Sequence, residues 1–370
     1  MRFVKASYEI LNIPEPDDKM GLYKFLERIG RVCYKSEDKI TDESCIKFLQ
    51  NIRNRKHWAM LEHYIFTMTI CEEDYYDICN LLEEINEDNS DLAEKIRFIH
   101  VTRWDGCPED DDRKFLVSGS ATAFNYLWGC NMFNQGGVHA INRICDWLYA
   151  QYPEIMFVPE GVTPVDIKVY GPDLGIRFLS RSELKSLPVG LRKIHDFMSI
   201  KSITDRGVTH EDVRHRPASW AQESTRYCNY GGNGCAFIIP VWFSDKARDA
   251  LLDFGEYPFM VFNDKPLDPF TSSEWCWIQS MQQDENYYNK LIGEGWTPQQ
   301  ARSVLPNSVK TEIIMTANFN EWGHYFNMRV PKSAHPQMRE LAVPMLVESA
   351  EREPEIFQDQ KDRLIDKENV

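Results

Sequence analysis

The apolar residues of this chain occur in short runs, none of which approaches the length of a membrane helix. Segments 64–70 (YIFTMTI) and 311–318 (TEIIMTAN) are rich in β-branched and aromatic residues and predict short strands. A third run, 237–243 (FIIPVWF), contains Pro240, which predicts an edge strand or a break. A membrane span needs about 20 apolar residues, so none is predicted.

The rest of the pattern predicts a first strand over residues 1–11 and an amphipathic helix over 72–86. A short helix is expected from about Asn320 to Met328, and Asn320 and His324 would share one of its faces because they are four residues apart. The capping-box spacing of Thr297 and Gln300, with Pro298 at the first helical position, predicts another helix start. Residues 105–114 (DGCPEDDDRK) predict an acidic loop. No linker is long enough to divide the chain. We therefore predict one domain over residues 1–350, with a large elaboration in its middle. Residues 351–370 are mostly charged and predict a solvated helix or a frayed tail.

Composition excludes several classes of protein. The chain has 370 residues, 42 basic and 57 acidic, for a formal net charge of −15. This charge argues against a protein that coats nucleic acid or an anionic membrane, so neither partner is predicted. A hydrophobic content of 43% excludes a wholly disordered chain.

The 10 cysteines are scattered and contain no CxxC pair. They predict reduced thiols and neither a disulfide framework nor a zinc site. The first ten residues lack an apolar signal core, so a cytoplasmic location is expected. His57, Glu62 and His63 do not form a HExxH motif, and no metal is predicted.

Residues 205–230 (DRGVTHEDVRHRPASWAQESTRYCNY) carry the strongest local signals. Thr209 and Asp212 have capping-box spacing, which predicts a helix that begins at His210. Pro217 ends it, so residues 214–216 are expected in its last turn. The same spacing recurs at Ser219 and Gln222 and predicts a second helical turn.

This acidic chain concentrates cations and hydroxyl groups between residues 214 and 226. Arginine forks match phosphate geometry, and hydroxyl groups complete an anion shell. The residues are Arg214, His215, Arg216, Ser224, Thr225 and Arg226. The alternative is a solvated helix end with surface ion pairs to nearby acidic residues.

The segment resembles the signature of the flavin-dependent thymidylate synthases, the ThyX family: Arg-His-Arg, seven residues, then Ser. Here the signature is Arg214-His215-Arg216, PASWAQE and Ser224, followed by a matching Arg226. Residues 57–70 resemble the family's upstream block, including its Glu-His pair, and residues 297–342 resemble its C-terminal block.

The resemblance implies reductive methylation of dUMP to dTMP, with methylenetetrahydrofolate, NADPH and FAD, and without a cysteine nucleophile. It also implies an α/β (α+β) fold, with a twisted, mostly antiparallel sheet flanked by helices. A homotetramer that shares active sites between subunits is expected. The resemblance therefore implies a flavoprotein transferase, a methyltransferase of nucleotide biosynthesis.

The resemblance also assigns roles to single residues. Arg329 matches an arginine that polarises the uracil ring and is the predicted catalytic residue. The predicted dUMP-binding residues are Glu211, Arg214, Gln222, Glu223, Ser224, Thr225, Arg226, Arg302 and Arg329. The predicted FAD-binding residues are His57, Glu62, Arg214, His215, Arg216, Asn318, Asn320 and His324. For His57 and Glu62, structural hydrogen bonding is an equal alternative.

Several positions depart from the family pattern. Ala59 replaces a hydroxyl residue that touches FAD in many members, and Ala221-Gln222 replaces a common Asn-Glu. Residues 71–200 form an insertion whose role the sequence does not explain. Two alternatives follow: a flavin-dependent 5-hydroxymethylase acting on dUMP or dCMP, and a nucleotide- or nucleic-acid-binding protein that has lost catalysis.

Overall fold

The computed structural model describes residues 1–88, 90–105, 113–128, 140–170, 174–232, 234–253 and 265–366. Its strands are β1 (Arg2–Val4), β2 (Ser7–Ile10), β3 (Ile65–Ile70), β4 (His100–Trp104), β5 (Lys114–Ser120), β6 (Arg177–Phe178), β7 (Phe197–Asp205), β8 (Ser219–Gln222), β9 (Ala236–Ile238) and β10 (Lys310–Asn318). Its helices are α1 (Lys19–Tyr34), α2 (Ser44–Asn54), α3 (Glu72–Asp88), α4 (Ser90–Lys95), α5 (Ala121–Leu127), α6 (Ala140–Gln151), α7 (Arg181–Lys185), α8 (Val189–His195), α9 (Arg206–Asp212), α10 (Asp245–Asp253), α11 (Ser272–Gly293), α12 (Pro298–Ala301), α13 (Phe319–Arg329), α14 (Pro336–Arg352) and α15 (Pro354–Lys361). The mixture of helices and antiparallel sheets confirms the predicted class.

A central antiparallel sheet has the strand order β2-β7-β10-β8. β7 and β10 pair along their whole length, with Phe197 opposite Asn318 and Asp205 opposite Lys310. Because the strands are antiparallel, α9 leaves the end of the sheet marked by Lys310, and α13 leaves the end marked by Asn318. We call these the Lys310 end and the Asn318 end.

Strand β8 runs between these two ends. Ser219 lies opposite Thr316, and Gln222 lies opposite Ile313. The chain before β8 therefore lies at the Asn318 end, and the chain after β8 lies toward the Lys310 end. Four strand residues span about 10 Å, and this distance separates two groups of predicted site residues.

The predicted insertion, residues 71–200, builds most of a second sheet with the strand order β4-β5-β3-β6. Its strand β5 pairs with β3 of the upstream block, from Ile65 opposite Ser120 to Ile70 opposite Phe115. One buried apolar cluster joins this sheet to α1 and α2 and reaches Ala221 and Ile314 of the central sheet. The insertion thus shares a core with the segments that flank it.

Most predicted elements are confirmed, with shifted limits. The strand expected over residues 1–11 is two strands: β1 pairs with β9, and β2 pairs with β7. The run 237–243 forms a strand only to Ile238, before Pro240. The acidic loop expected at 105–114 lies mostly outside the described residues. None of the described helices is long and apolar enough to cross a membrane.

The charged segment 351–370 is helical over Pro354–Lys361, and this part packs against the domain. Phe357 is 1% exposed, and its ring meets Phe319 and Phe326 edge-on at 5.6 and 5.7 Å. Arg192 of α8 pairs with Glu353 just before the helix. Apolar contacts and an ion pair therefore hold this helix beside α13.

Candidate active site

Helix α9 begins earlier than the sequence predicted. Its N-cap is Asp205, whose side chain accepts a hydrogen bond from Val208 N at 2.7 Å. Thr209 is buried inside the helix, and its hydroxyl donates to Arg206 O, so the cap expected at Thr209 is wrong. Asp205 ends a buried strand and is the first residue free to cap.

The helix also ends earlier than expected, at Asp212. Residues 214–216 therefore lie in the turn beyond it and not in its last helical turn. The second helical turn predicted at Ser219 is wrong as well, because Ser219–Gln222 form β8. Ser219 and Ala221 point into the core, and pairing with β10 overrides the local capping signal.

His215 is the buried member of the Arg-His-Arg motif, with 3% exposure. Its ring lies 5.3 Å from the His324 ring and 5.8 Å from the Tyr325 ring. Burial, reinforced by the charges of His324 and Arg329, lowers the pKa of His215 to about 4, so the imidazole is neutral at neutral pH. Its Nε2 atom is buried and forms no hydrogen bond with the described residues.

Arg214 and Arg216 flank this histidine and are exposed. Neither guanidinium forms an ion pair or hydrogen bond within the part of the chain that the structure describes. Two arginine forks without an internal partner, beside a neutral imidazole, can meet an anionic ligand.

Helix α13 brings the next predicted residues to the same end of the sheet. Asn318 is its N-cap and accepts from Glu321 N at 2.9 Å. Asn320 and His324 are exposed one turn apart and line a cleft of about 1110 Å³, together with Lys193 and Gln360. The shared helix face predicted for Asn320 and His324 is confirmed. Arg214, His215, Arg216, Asn318, Asn320 and His324 form the Asn318-end cluster.

Arg329, at the C-terminal end of α13, is held by α9. Its Nη1 lies 3.1 Å from Glu211 Oε2, and its Nη2 donates to Glu211 O at 2.7 Å. The side chain is only 13% exposed, and Nε is buried without a hydrogen bond to a described residue. Glu211 thus fixes the direction of a cation that lies mostly out of solvent.

Asp212 lies behind this pair and is fully buried. Its Oδ1 accepts a hydrogen bond from Tyr325 Oη at 3.0 Å. Burial raises the pKa of Asp212 to about 7, against the opposing effects of the Tyr325 hydrogen bond and the Arg329 charge. Sequence reasoning missed this carboxyl group, whose only signal was its position in a capping-box pattern.

The second group of predicted residues lies beyond β8, at the Lys310 end. Arg302 Nη1 donates to Thr225 Oγ1 at 3.3 Å, and Arg226 Nε donates to Gln299 Oε1 at 3.2 Å. Arg302 follows the short helix α12, whose predicted Thr297–Gln300 capping box is confirmed. Ser224, Arg226 and Arg302 form the Lys310-end cluster.

Three neighbours of these residues are engaged inside the protein. Gln222 Nε2 donates to Thr209 Oγ1 at 2.8 Å, and Thr225 is 5% exposed. Glu223 is 1% exposed and accepts from Tyr230 Oη at 2.7 Å and Lys310 Nζ at 3.0 Å. Their internal bonds leave Ser224, Arg226 and Arg302 as the side chains with access to a ligand.

The Glu223 contacts belong to a buried ionic network that the sequence analysis missed. Glu312 pairs with Lys310 and Lys35, and its Oε2 lies 2.6 Å from Lys201 Nζ. The lysine charges overcome the effect of burial and lower the pKa of Glu312 to about 2. The available signal was the presence of Lys201 and Glu312 within segments rich in β-branched residues.

His57 and Glu62 lie in an aromatic cavity of about 590 Å³, which Tyr34, Trp58, Ala59, Trp220, Ser224 and Tyr227 also line. Tyr34 Oη is 2.6 Å from His57 Nδ1, and Ser219 Oγ donates to Glu62 Oε2 at 3.3 Å. Burial raises the pKa of Glu62. The cavity suits a flat ring more than a phosphate group.

The described residues contain no group of three or more His, Cys, Asp or Glu side chains that could hold a metal ion. The site offers exposed arginine, amide and imidazole groups, one buried imidazole nitrogen that forms no hydrogen bond with the described residues, and two cavities. These groups can bind a phosphorylated nucleotide and a planar ring system.

Comparison with known proteins gives this arrangement a context. Residues 195–355 match the family model described as thymidylate synthase complementing protein. The chain is 33% identical over 156 residues to a flavin-dependent thymidylate synthase of Geobacter sulfurreducens, covering 42% of this chain and 56% of that protein. Those of Corynebacterium efficiens (30% over 165 residues, covering 44% and 60%) and Pyrococcus furiosus (31% over 148 residues, covering 40% and 52%) are also similar. The match thus spans little more than half the length of these relatives.

Proposed function

We propose that this protein is a flavin-dependent thymidylate synthase and converts dUMP to dTMP, on the ground that residues 195–355 match the family model and that the chain is similar to such enzymes. Methylenetetrahydrofolate would supply the carbon, and NADPH the reducing equivalents through FAD. The observation that carries the proposal is the Asn318-end cluster. There the neutral, buried His215 lies against His324, which lines one large cleft together with Asn320. Two exposed arginines without internal partners flank His215 in the sequence.

The Asn318-end cluster fits FAD. The buried Nε2 of His215 forms no hydrogen bond with the described residues and lies 3.6 Å from Glu321 Oε2, and Asn320 and His324 offer polar groups to the cleft. Arg214 and Arg216 would meet the diphosphate, while Glu321 on the cleft wall can accept hydrogen bonds from hydroxyl groups. FAD, when bound, would carry reducing equivalents from NADPH to the transferred carbon.

The Lys310-end cluster would hold dUMP. The Ser224 hydroxyl and the Arg226 and Arg302 guanidinium groups provide the donors that a phosphate monoester needs. Ser224 N donates to Cys33 O at 3.0 Å, which ties this loop to α1. The loop therefore presents its donors from a fixed backbone.

Arg329 would act on the uracil ring. A cation beside N3 and the adjacent carbonyl stabilises the anionic ring and raises electron density at C5. Because Glu211 already orients Arg329, little reorganisation accompanies the reaction. The ring would thus be activated without a covalent bond to the enzyme.

The described cysteines beside the site agree with this chemistry. Burial raises the pKa of the Cys33 and Cys228 thiols to about 12 and 11, so both remain protonated at neutral pH. Since the thiolate is the nucleophilic form, neither thiol is activated to attack a uracil ring.

Within one subunit, β8 separates the two clusters by about 10 Å. We therefore include in the proposal a homotetramer, in which the Asn318-end cluster of one copy faces the Lys310-end cluster of another. Val213 and Met328, next to Arg214 and Arg329, are 41% and 45% exposed and offer apolar contact area. A molar mass of one chain in solution would contradict a shared site.

The decisive experiment combines the purified full chain with FAD, dUMP, NADPH and methylenetetrahydrofolate. Mass spectrometry of the nucleotide is expected to show a gain of one methyl group. A hydroxymethyl product would move the function to base modification on the same site. FAD binding without any product from dUMP or dCMP would contradict synthase activity and favour a binding protein.

Replacing Arg226 by alanine is expected to raise the KM for dUMP by about 10- to 100-fold, because a charge-assisted hydrogen bond to phosphate is lost. The affinity for FAD should change less than about twofold, since Arg226 lies in the Lys310-end cluster. Steady-state kinetics and FAD titration check both values.

The matched control is Gln299→Ala, which removes the internal partner of Arg226 and leaves its charge in place. It should leave both constants near those of the wild type. Equal losses of dUMP and FAD affinity in Arg226→Ala would show that the clusters do not divide the two ligands.

A further inference from the structure

The inserted segment touches the Asn318-end cluster through one side chain. His100 is the first residue of β4, within residues 71–200, and its Nε2 lies 3.3 Å from Asn318 Nδ2. We propose that His100 is a positioning residue that fixes the Asn318 amide for the flavin, which would give the insertion a direct part in the site. This inference rests on the proposed function.

The hydrogen bonds of Asn318 define the orientation of its amide. Oδ1 accepts from Glu321 N at the start of α13, so this atom is the oxygen and Nδ2 is the donor. His100 Nε2 must then accept, which places the imidazole hydrogen on Nδ1. One further N–H of Nδ2 remains for a ligand.

Contacts of neighbouring residues tie β4 and β5 to His195. Thr102, two residues along the same face of β4, lies 2.7 Å from His195 Nε2, and Ser118 Oγ of β5 lies 2.8 Å from His195 Nδ1. His195 leads directly into β7, whose first residue, Phe197, lies opposite Asn318. Both the insertion and Asn318 are therefore attached to the backbone around residues 195–197.

The surroundings of His100 keep it an acceptor. Burial lowers the pKa of His100, and burial also lowers the pKa of His195 to about 3. Both imidazoles are therefore neutral at neutral pH. A neutral His100 keeps the Nε2 lone pair that Asn318 needs, and it places no additional charge beside the cleft.

Without this acceptor, the Asn318 side chain would keep its capping oxygen but lose the restraint on its nitrogen. FAD binding would then have to order the Asn318 amide, and the conformational entropy lost would lower the affinity for FAD. The expected consequence is weaker cofactor affinity and an altered flavin environment, with little change in global stability.

The test is a double-mutant cycle with FAD titration into the apoprotein. His100→Ala is expected to weaken FAD binding about fivefold, as for one neutral hydrogen bond, and to shift the bound flavin absorption bands. His100→Gln, whose side-chain carbonyl can accept, should restore both. Asn318→Ser keeps a helix-capping oxygen but removes the amide, so adding His100→Ala to it should have no further effect.

Thr102→Val is the matched control, because it lies on the same strand face and contacts His195 but not Asn318. It should lower the urea midpoint of unfolding without changing the FAD affinity. Additive effects of His100→Ala and Asn318→Ser, or an equal loss of FAD in Thr102→Val, would overturn the positioning role. Wild-type protein that binds no FAD would instead overturn the proposed function.

Discussion

Replacing Arg329 by alanine is expected to lower kcat by about 10²- to 10³-fold, the usual cost of removing one fixed group that stabilises developing charge. FAD affinity should change far less than kcat, because Arg329 is hydrogen-bonded to Glu211 and only its charge reaches His215 of the Asn318-end cluster. The structure gives the reason for the size of the effect. The guanidinium is 13% exposed and already oriented by two contacts to Glu211, so water cannot take its place at low cost.

Two controls separate this role from a structural one. Arg329→Lys keeps the charge but loses the two-pronged contact with Glu211, so turnover should fall by an intermediate amount. Arg352→Ala removes a half-exposed arginine that pairs with Glu348 one turn away, and turnover should stay near the wild-type value. Full turnover in Arg329→Ala would contradict ring activation by this residue.

Local signals predicted those elements whose pattern and tertiary environment agree. The run 64–70 became β3, the helical spacing over 72–86 became α3, and the Thr297 capping box became α12. In α3, the face that periodicity marked as apolar is the face that packs into the core, whereas β3 follows from its β-branched and aromatic residues and α12 from its cap. When the local sequence pattern and the tertiary contacts favour the same structure, the element can be predicted from the sequence alone.

Prediction from sequence failed where the capping-box spacing occurred in segments that do not begin a helix. The spacing of Thr209 with Asp212 and of Ser219 with Gln222 fits a capping box, yet Thr209 is inside a helix and Ser219 begins a strand. A long strand that ends at Asp205 supplied a better cap, and β10 supplied a partner for β8. Both outcomes depend on pairing with β10, whose residues lie about 100 positions further along the chain.

Within the candidate site, the motif predicted which residues gather but not which are accessible. The ring centroids of His215 and His324, both predicted to bind FAD, lie 5.3 Å apart. Glu223, by contrast, is enclosed by Lys310 and Tyr230. Its burial depends on long-range contacts, and no spacing in the local sequence encodes them.

The substitution Asp212→Asn is expected to stabilise the protein at pH 8 and to have little effect near pH 4. Because burial raises the pKa of Asp212 to about 7, the folded state binds a proton that the unfolded state, with the ordinary pKa of 3.8, has released. Wild-type stability therefore falls as pH rises from about 4 to 7, by up to ~4 kcal/mol for a shift of this size. The substituted amide cannot ionise, and its side-chain oxygen can still accept from Tyr325.

Urea unfolding of wild type and Asp212→Asn at a series of pH values measures this difference directly, since other titrating groups are common to both proteins. The gain should grow from pH 4 to pH 7 and then level off. Asp249→Asn is the control, because its carboxylate is 70% exposed and pairs only loosely with Lys5, so it should change stability by less than about 0.5 kcal/mol at every pH. If the stability difference at position 212 did not depend on pH, Asp212 would be ionised in the folded protein. The Arg329 charge would then outweigh burial, and Asp212 would remain a carboxylate near Arg329 at neutral pH.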